Sequence, residues 1–204
     1  MLNTDLFEHI QKSQKHILVV TKYWDTDTTI QIWEEASENY GDILYGIWEN
    51  RIEQIKEKNL DREIIHFIWN IQSKKIKEIV RYCSTIHSLS NLKHAEIIES
   101  QSINTSAFIQ IRLDTEKQNG ISVEDLPKFL EACKDFKHLK IIWISGMWSV
   151  KITEKEKREE FQKLIKLRNL HLPHWLISAG TSADYEIALE EWIDIVRVGQ
   201  KAVM

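Results

Sequence analysis

His16-Ile17-Leu18-Val19-Val20-Thr21-Lys22, followed after a short polar break by an amphipathic stretch over residues 27–40, decides the fold. From Ile17 to Val20 no polar residue interrupts the run, which suits a strand buried on both faces, as in a parallel sheet covered by helices. The same unit recurs to the end of the chain. Strands are expected at residues 16–22, 43–48, 64–69, 84–88, 107–113, 139–145, 175–179 and 193–198. Helices are expected at 27–40, 50–57, 74–82, 91–100, 123–133, 154–167 and 182–192. Eight strands alternating with helices is the count of a (β/α)8 barrel of the TIM type, while the same rhythm permits a doubly wound open sheet. Pro127 falls in the first turn of its helix and Pro173 before a strand, and no linker divides the chain. Residues 1–204 therefore read as a single domain.

The 204 residues are 43% hydrophobic and 28% charged, enough apolar material for a full core, and disorder is not indicated. The net charge is −4 and no broad basic cluster is present, which argues against nucleic acid as a partner. The mixed-sign run from Lys151 to Lys166 reads as a solvated helix face. Cys83 and Cys133 lack ligand or framework spacing, so neither a disulfide scaffold nor a metal is expected, and a reducing compartment fits. No apolar run approaches the length of a membrane span, and the N-terminus lacks a signal-peptide pattern, so a cytoplasmic protein is expected.

In either architecture ligands sit beyond the C-terminal ends of the strands. Lys22 ends an apolar strand there, and partial desolvation would free its neutral amine for attack on an aldehyde. An ordinary solvated lysine fits the same position. Ser178-Ala179-Gly180-Thr181-Ser182-Ala183-Asp184 lies at a strand-to-helix junction, and Arg197-Val198-Gly199 ends the next strand. A glycine turn opening a helix presents N–H groups, and nearby hydroxyls complete a phosphate cup. The same residues read as plain capping, with Thr181 as N-cap and Asp184 as its capping-box partner. His66 reads as a structural histidine, because no nucleophile motif accompanies it, and His66, His87, His171 and His174 fall on separate elements without metal spacing.

Taken in order, these segments resemble the signature stretches of the pyridoxal phosphate homeostasis proteins, whose fold is the alanine racemase N-terminal barrel. Val20-Thr21-Lys22 is similar to the family's Val-Ser-Lys, Glu49-Asn50-Arg51-Ile52 to its Glu-Asn-Arg-Val, and His66 through Lys75 to its His-Phe-Ile-Gly-x-Leu-Gln-x-Asn-Lys. Ile109-Gln110-Ile111 with Lys117 to Ile121 resembles its Ile-Gln-Ile strand and following turn. Ser178, Gly180, Ser182, Asp184 and Glu186 match its Ser-x-Gly-Met-Ser-x-Asp-x-Glu, and Val196 to Gly199 its Val-Arg-Ile-Gly. The resemblance runs from about residue 16 to the C-terminus. It implies pyridoxal 5'-phosphate (PLP) as the cofactor, Lys22 forming the Schiff base, Ser182 and Gly199 binding phosphate, Arg197 facing the pyridine nitrogen, and Asn50 retained beside them.

The expected function is PLP binding in vitamin B6 and amino-acid homeostasis with little or no catalysis, since an arginine does not readily lend a proton to the ring nitrogen. The alternatives are a PLP-dependent racemase or lyase, needing a second acid or base from Tyr45, His66 or Ser145, and a cofactor-free barrel that acts as a binding module. Departures from the family pattern are concentrated near the expected site. Tryptophan replaces glycine at Trp48, Trp69 and Trp143, each expected at or near the barrel mouth. Ser145 stands where the family usually has methionine, and Gln200 stands at the phosphate-facing threonine. With no helix expected after the eighth strand, one side of the barrel is expected to be exposed or covered by another chain, in a monomer or a homo-oligomer.

Overall fold

The computed structural model describes residues 1–113, 119–147 and 153–204, the side chain of Met147 excepted. Lys117 in the turn before Ile121, and the first two residues of the charged run beginning at Lys151, lie outside the described residues.

Eight strands pair in chain order, all parallel, and close on themselves: β1 His16–Val20, β2 Leu44–Glu49, β3 Ile65–Phe67, β4 Thr85–Leu89, β5 Thr105–Arg112, β6 Leu139–Met147, β7 Ile177–Thr181 and β8 Ile195–Val198. Pairing of β1 with β8, from His16 opposite Ile195 to Val19 opposite Val198, closes the barrel and rules out the open sheet. Between them lie α1 Thr4–Lys12, α2 Thr26–Tyr40, α3 Ile52–Lys58, α4 Ile76–Tyr82, α5 Leu92–Ser100, α6 Leu126–Cys133, α7 Glu154–His171 and α8 Tyr185–Glu190. Helix starts are set by short polar side chains that satisfy otherwise unpaired N–H groups. Asp25 accepts from Thr28 N–H and Asn91 from His94 N–H, while Thr153 and Glu156 close a reciprocal box.

The strands are buried on both faces, and each face meets a different layer. One layer joins the outward strand residues, such as Ile17, Val19, Ile47 and Val196, to the helices. The other fills the interior of the barrel with Leu18, Trp48, Ile68, Phe108 and Ile195. A filled interior leaves the strand ends as the place for a ligand.

Two expectations are corrected by the packing. The side expected to be exposed is closed by the chain itself: α1 packs there with Leu2, Phe7 and Ala202 all buried, and Leu2 bridges Val203. Asn3 N–H donates to Ala202 O at 3.0 Å and its amide to Lys201 O at 2.8 Å. The last helix does not start at Ser182 but at Tyr185. Asp184 turns back to accept from the Thr181 N–H at 2.6 Å and hydroxyl at 2.9 Å, holding residues 181–184 in a turn ahead of α8.

Candidate functional site

β1 stops at Val20, two residues before the expected end at Lys22, and Lys22 stands in the turn that follows. Thr21 N–H donates to Trp48 O and Trp24 N–H donates to Thr21 O, so the chain bends as it leaves the barrel. Lys22 is half-buried with its amine over three rings: Tyr23 at 4.9 Å, Trp48 at 5.4 Å and Trp69 at 6.0 Å from the centroids.

Beneath that turn lies an ion pair that motif reading passed over. Lys58, at the end of α3, reaches in to Glu49 Oε1 at 2.5 Å and to Thr21 O at 2.8 Å, and the Thr21 hydroxyl donates to the same carboxylate oxygen at 2.5 Å. Glu49 and Lys58 are 0% and 5% exposed. The pair therefore clamps the peptide that carries Lys22 and the strand end that carries Asn50. A carboxylate ending an otherwise apolar strand, with a lysine nine positions on, was the available signal.

Across the mouth, Ser182 and Gly199 meet directly, Gly199 N–H donating to Ser182 Oγ at 3.1 Å. Gly180 is left-handed at φ +83°, and a Cβ there would lie 2.7 Å from the Ala188 Cβ, so only glycine fits the turn. A Cβ on Gly199 would press on Val20 at 3.2 Å, which keeps β8 close to β1 below Lys22. Arg197 points into the barrel, 2% exposed, donating from one terminal nitrogen to Gly146 O at 2.9 Å and standing 5.6 Å from the Trp48 ring. Burial brings its pKa down to about 10, so it remains a cation at neutral pH. Its Nε, Asn50 Oδ1 and Ser178 Oγ are buried without a hydrogen-bond partner among the described residues.

Lys22 and Arg197 thus face the same Trp48 ring, and Ser182 joins Gly199. Asn50 faces an adjoining cavity of about 210 Å³ lined also by Phe67, Trp69 and Lys75. The three tryptophans part company. Trp48 is buried near the mouth and Trp69 is 55% exposed on its rim, but Trp143 lies inside the barrel against Tyr45 and Phe108, each ring centroid 4.9 Å away. The expectation that Trp143 crowds the mouth is therefore corrected.

None of the three residues considered as a second acid or base is placed for that work. Tyr45 and His66 line a cavity with Thr85 and Thr105, the first residues of β4 and β5, at the opposite end of the barrel. His66 Nδ1 bonds His87 Nε2 at 2.8 Å, and burial drives the His66 pKa down to about 3, so it is neutral. Ser145 donates its hydroxyl to His87 O at 2.6 Å.

This barrel, with a lysine in the turn after its first strand and an arginine in its last, has known relatives. The model of the alanine racemase N-terminal domain matches residues 6–203, and the chain belongs to that family. The pyridoxal phosphate homeostasis protein of Aquifex aeolicus is 29% identical over 178 residues, covering 79% of this chain and 76% of its own. That of Corynebacterium glutamicum is 26% identical, covering 97% and 94%. Among solved structures, PipY of Synechococcus elongatus with PLP bound superposes with a TM-score of 0.78 at 20% identity, over 98% of this chain and 99% of that one. Alanine racemase of Clostridium difficile in complex with cycloserine gives 0.76 at 11% identity, over 98% of this chain and 58% of the enzyme. At those identities the two structures establish the fold.

Proposed function

We propose that the chain binds PLP at the mouth of the barrel and serves vitamin B6 and amino-acid homeostasis as a holder of the cofactor with little or no turnover. The relatives' names and the PLP-bound neighbour support this reading. The single observation that carries it is the gathering of the Lys22 amine, the Arg197 guanidinium and the Ser182–Gly199 pair at one end of the barrel. The unpartnered Arg197 Nε and Asn50 Oδ1 are buried polar atoms of the sort a polar ligand completes.

When bound, the cofactor would supply an aldehyde able to condense with a primary amine with loss of water. Lys22 supplies the amine. Ser182 would donate its hydroxyl to the phosphate, and the Gly199 N–H, which Ser182 Oγ accepts, would be shared with it. The dipole of α8 adds little to them, because that helix has six residues and begins three residues after Ser182. Arg197, a cation at neutral pH, would face the pyridine nitrogen and, not readily lending its proton, would leave the ring a poor sink for electrons. Tyr45 and His66 line the far cavity, so neither serves the racemase or lyase reading as a second base at the mouth. We take residues 1–204 as one cofactor-binding unit, and the cytoplasm as its compartment in keeping with two buried free cysteines.

The test is an absorbance spectrum after incubation with PLP, then borohydride reduction and mass analysis of the Lys22 peptide. A visible band and an adduct at Lys22, both lost in Lys22→Ala, are expected. Absence of band and adduct from the wild-type chain refutes the proposal.

A further inference from the structure

Trp48 carries an inference that rests on the cofactor reading and goes beyond it. Its side chain is 9% exposed and packs among Leu18, Ile68, Phe108 and Ile195, with the indole N–H donating to Ile68 O at 3.0 Å. The same ring contacts both cations assigned to the ligand: Lys22 Nζ lies 5.4 Å and Arg197 Cζ 5.6 Å from its centroid. The two cations are consequently no farther apart than the sum of those distances, and one aromatic ring already serves them both. An aromatic face offers a cation the same attraction whether it belongs to the protein or to a ligand, and the attraction grows as water is excluded.

We propose that the Trp48 indole is the resident ring of the site, that a ligand ring gains Lys22 and Arg197 only by displacing it, and that Trp48 therefore sets how tightly and how fast the site loads. Small aldehydes, which need no seat for a ring, escape this control. Trp69 makes the displacement workable on the Lys22 side. It stands on the rim, mostly exposed, and keeps an aromatic surface 6.0 Å from the amine when the inner indole moves away. Arg197 has no second ring of this kind among the described contacts, so the ligand must replace the indole there.

The test compares wild type, Trp48→Gly and Trp48→Phe for PLP loading, by absorbance titration and stopped-flow, after circular dichroism has established folding. In parallel, formaldehyde with cyanoborohydride measures how freely Lys22 reacts with an aldehyde that has no ring. Trp48→Gly is expected to load PLP about tenfold tighter or faster, the loss of one desolvated cation–ring contact. Trp48→Phe should fall between, and methylation of Lys22 should change by less than about twofold on the same reasoning. Should Trp48→Gly fail to fold, Trp48→Phe carries the comparison. A folded variant that loads PLP no better than wild type overturns the proposal, and so does a rise in methylation matching the rise in PLP loading, which would place the effect on exposure of the amine. If wild type loads PLP and the variants do not improve on it, the cofactor reading stands and the role of Trp48 falls. If neither wild type nor variants load PLP while formaldehyde still reaches Lys22, both fall.

Discussion

Replacing Lys58 by methionine removes the cation from the clamp under Lys22 while keeping most of the volume of its stem. Glu49 Oε1 then retains only the Thr21 hydroxyl, Oε2 has no partner at the outset, and the Thr21 carbonyl loses its 2.8 Å donor. Removing one member of a buried ion pair leaves an uncompensated charge and costs about 3–5 kcal/mol. The Thr21 carbonyl keeps the Trp24 N–H as a donor, so its loss belongs within that figure rather than on top of it. For a domain of this length each kcal/mol moves Tm by about 2–4 °C, so Lys58→Met should melt about 6–20 °C below wild type. Thermal and urea unfolding followed by circular dichroism read the change directly. The double variant Glu49→Leu/Lys58→Met removes both charges and should regain much of the loss, because a buried pair replaced by apolar groups is often neutral. In the single variant the peptide before Lys22 loses one of its anchors, so borohydride trapping of PLP at Lys22 should fall even at temperatures where the protein is folded. A cost below about 1 kcal/mol for Lys58→Met, the range of an exposed pair, would refute the reasoning.

Arg197→Met should hold or raise stability, by up to about 3 kcal/mol as judged from the lowering of the arginine pKa to about 10, while PLP binding is lost; a variant that both melts earlier and binds normally would contradict this. His66 is held neutral down to about pH 3 and His87 is lowered well below its ordinary value, so below about pH 6.5 the unfolded chain takes up protons that the folded barrel refuses. Stability should drop on acidification by about 1.4 kcal/mol per pH unit for each histidine, with a shallower slope in His66→Gln, as urea midpoints between pH 7.5 and 5 will show; equal slopes would exclude the histidines as the cause. Gly180→Ala forces a side chain onto a φ of +83° against Ala188 and should cost about 2–4 kcal/mol by chemical denaturation, whereas a neutral result would mean the turn is free to rearrange.

Strand placement was legible because β1, β4 and β8 are buried on both faces and so appear as short runs bounded by polar residues. Their ends were less so. Lys22 follows the run in sequence, but the backbone turns at Thr21, whose carbonyl accepts from the Trp24 N–H and the Lys58 amine instead of a β2 amide. Which face a residue takes was least legible of all. The β5–β6 register shifts between Ala107 and Phe108, setting Trp143 opposite Phe108 and turning its ring into the interior, and such a slip breaks the alternation from which facing is read. α8 starts later than expected because one Asp184 carboxylate oxygen is held by the Thr181 N–H and hydroxyl, which keeps residues 181–184 in a turn. Lys22, Asn50, Ser182, Arg197 and Gly199 were proposed from the order of short motifs, yet the place of Trp48 between Lys22 and Arg197 and the Glu49–Lys58 pair needed coordinates, since partners from a strand end and a helix end share no period.

The joining of β1 to β8 also bears on how the molecule is made. Its first strand waits for its last, so the contacts that complete the ring are among the longest in the chain. Such closure carries a large entropic toll and slows folding. During synthesis the outer edge of β1, with Ile17, Leu18 and Val19, stays open until residues 195–198 have left the ribosome, an invitation to pair with other chains. Substitutions that weaken β8 should therefore lower the yield of soluble protein by more than their effect on the finished barrel would suggest.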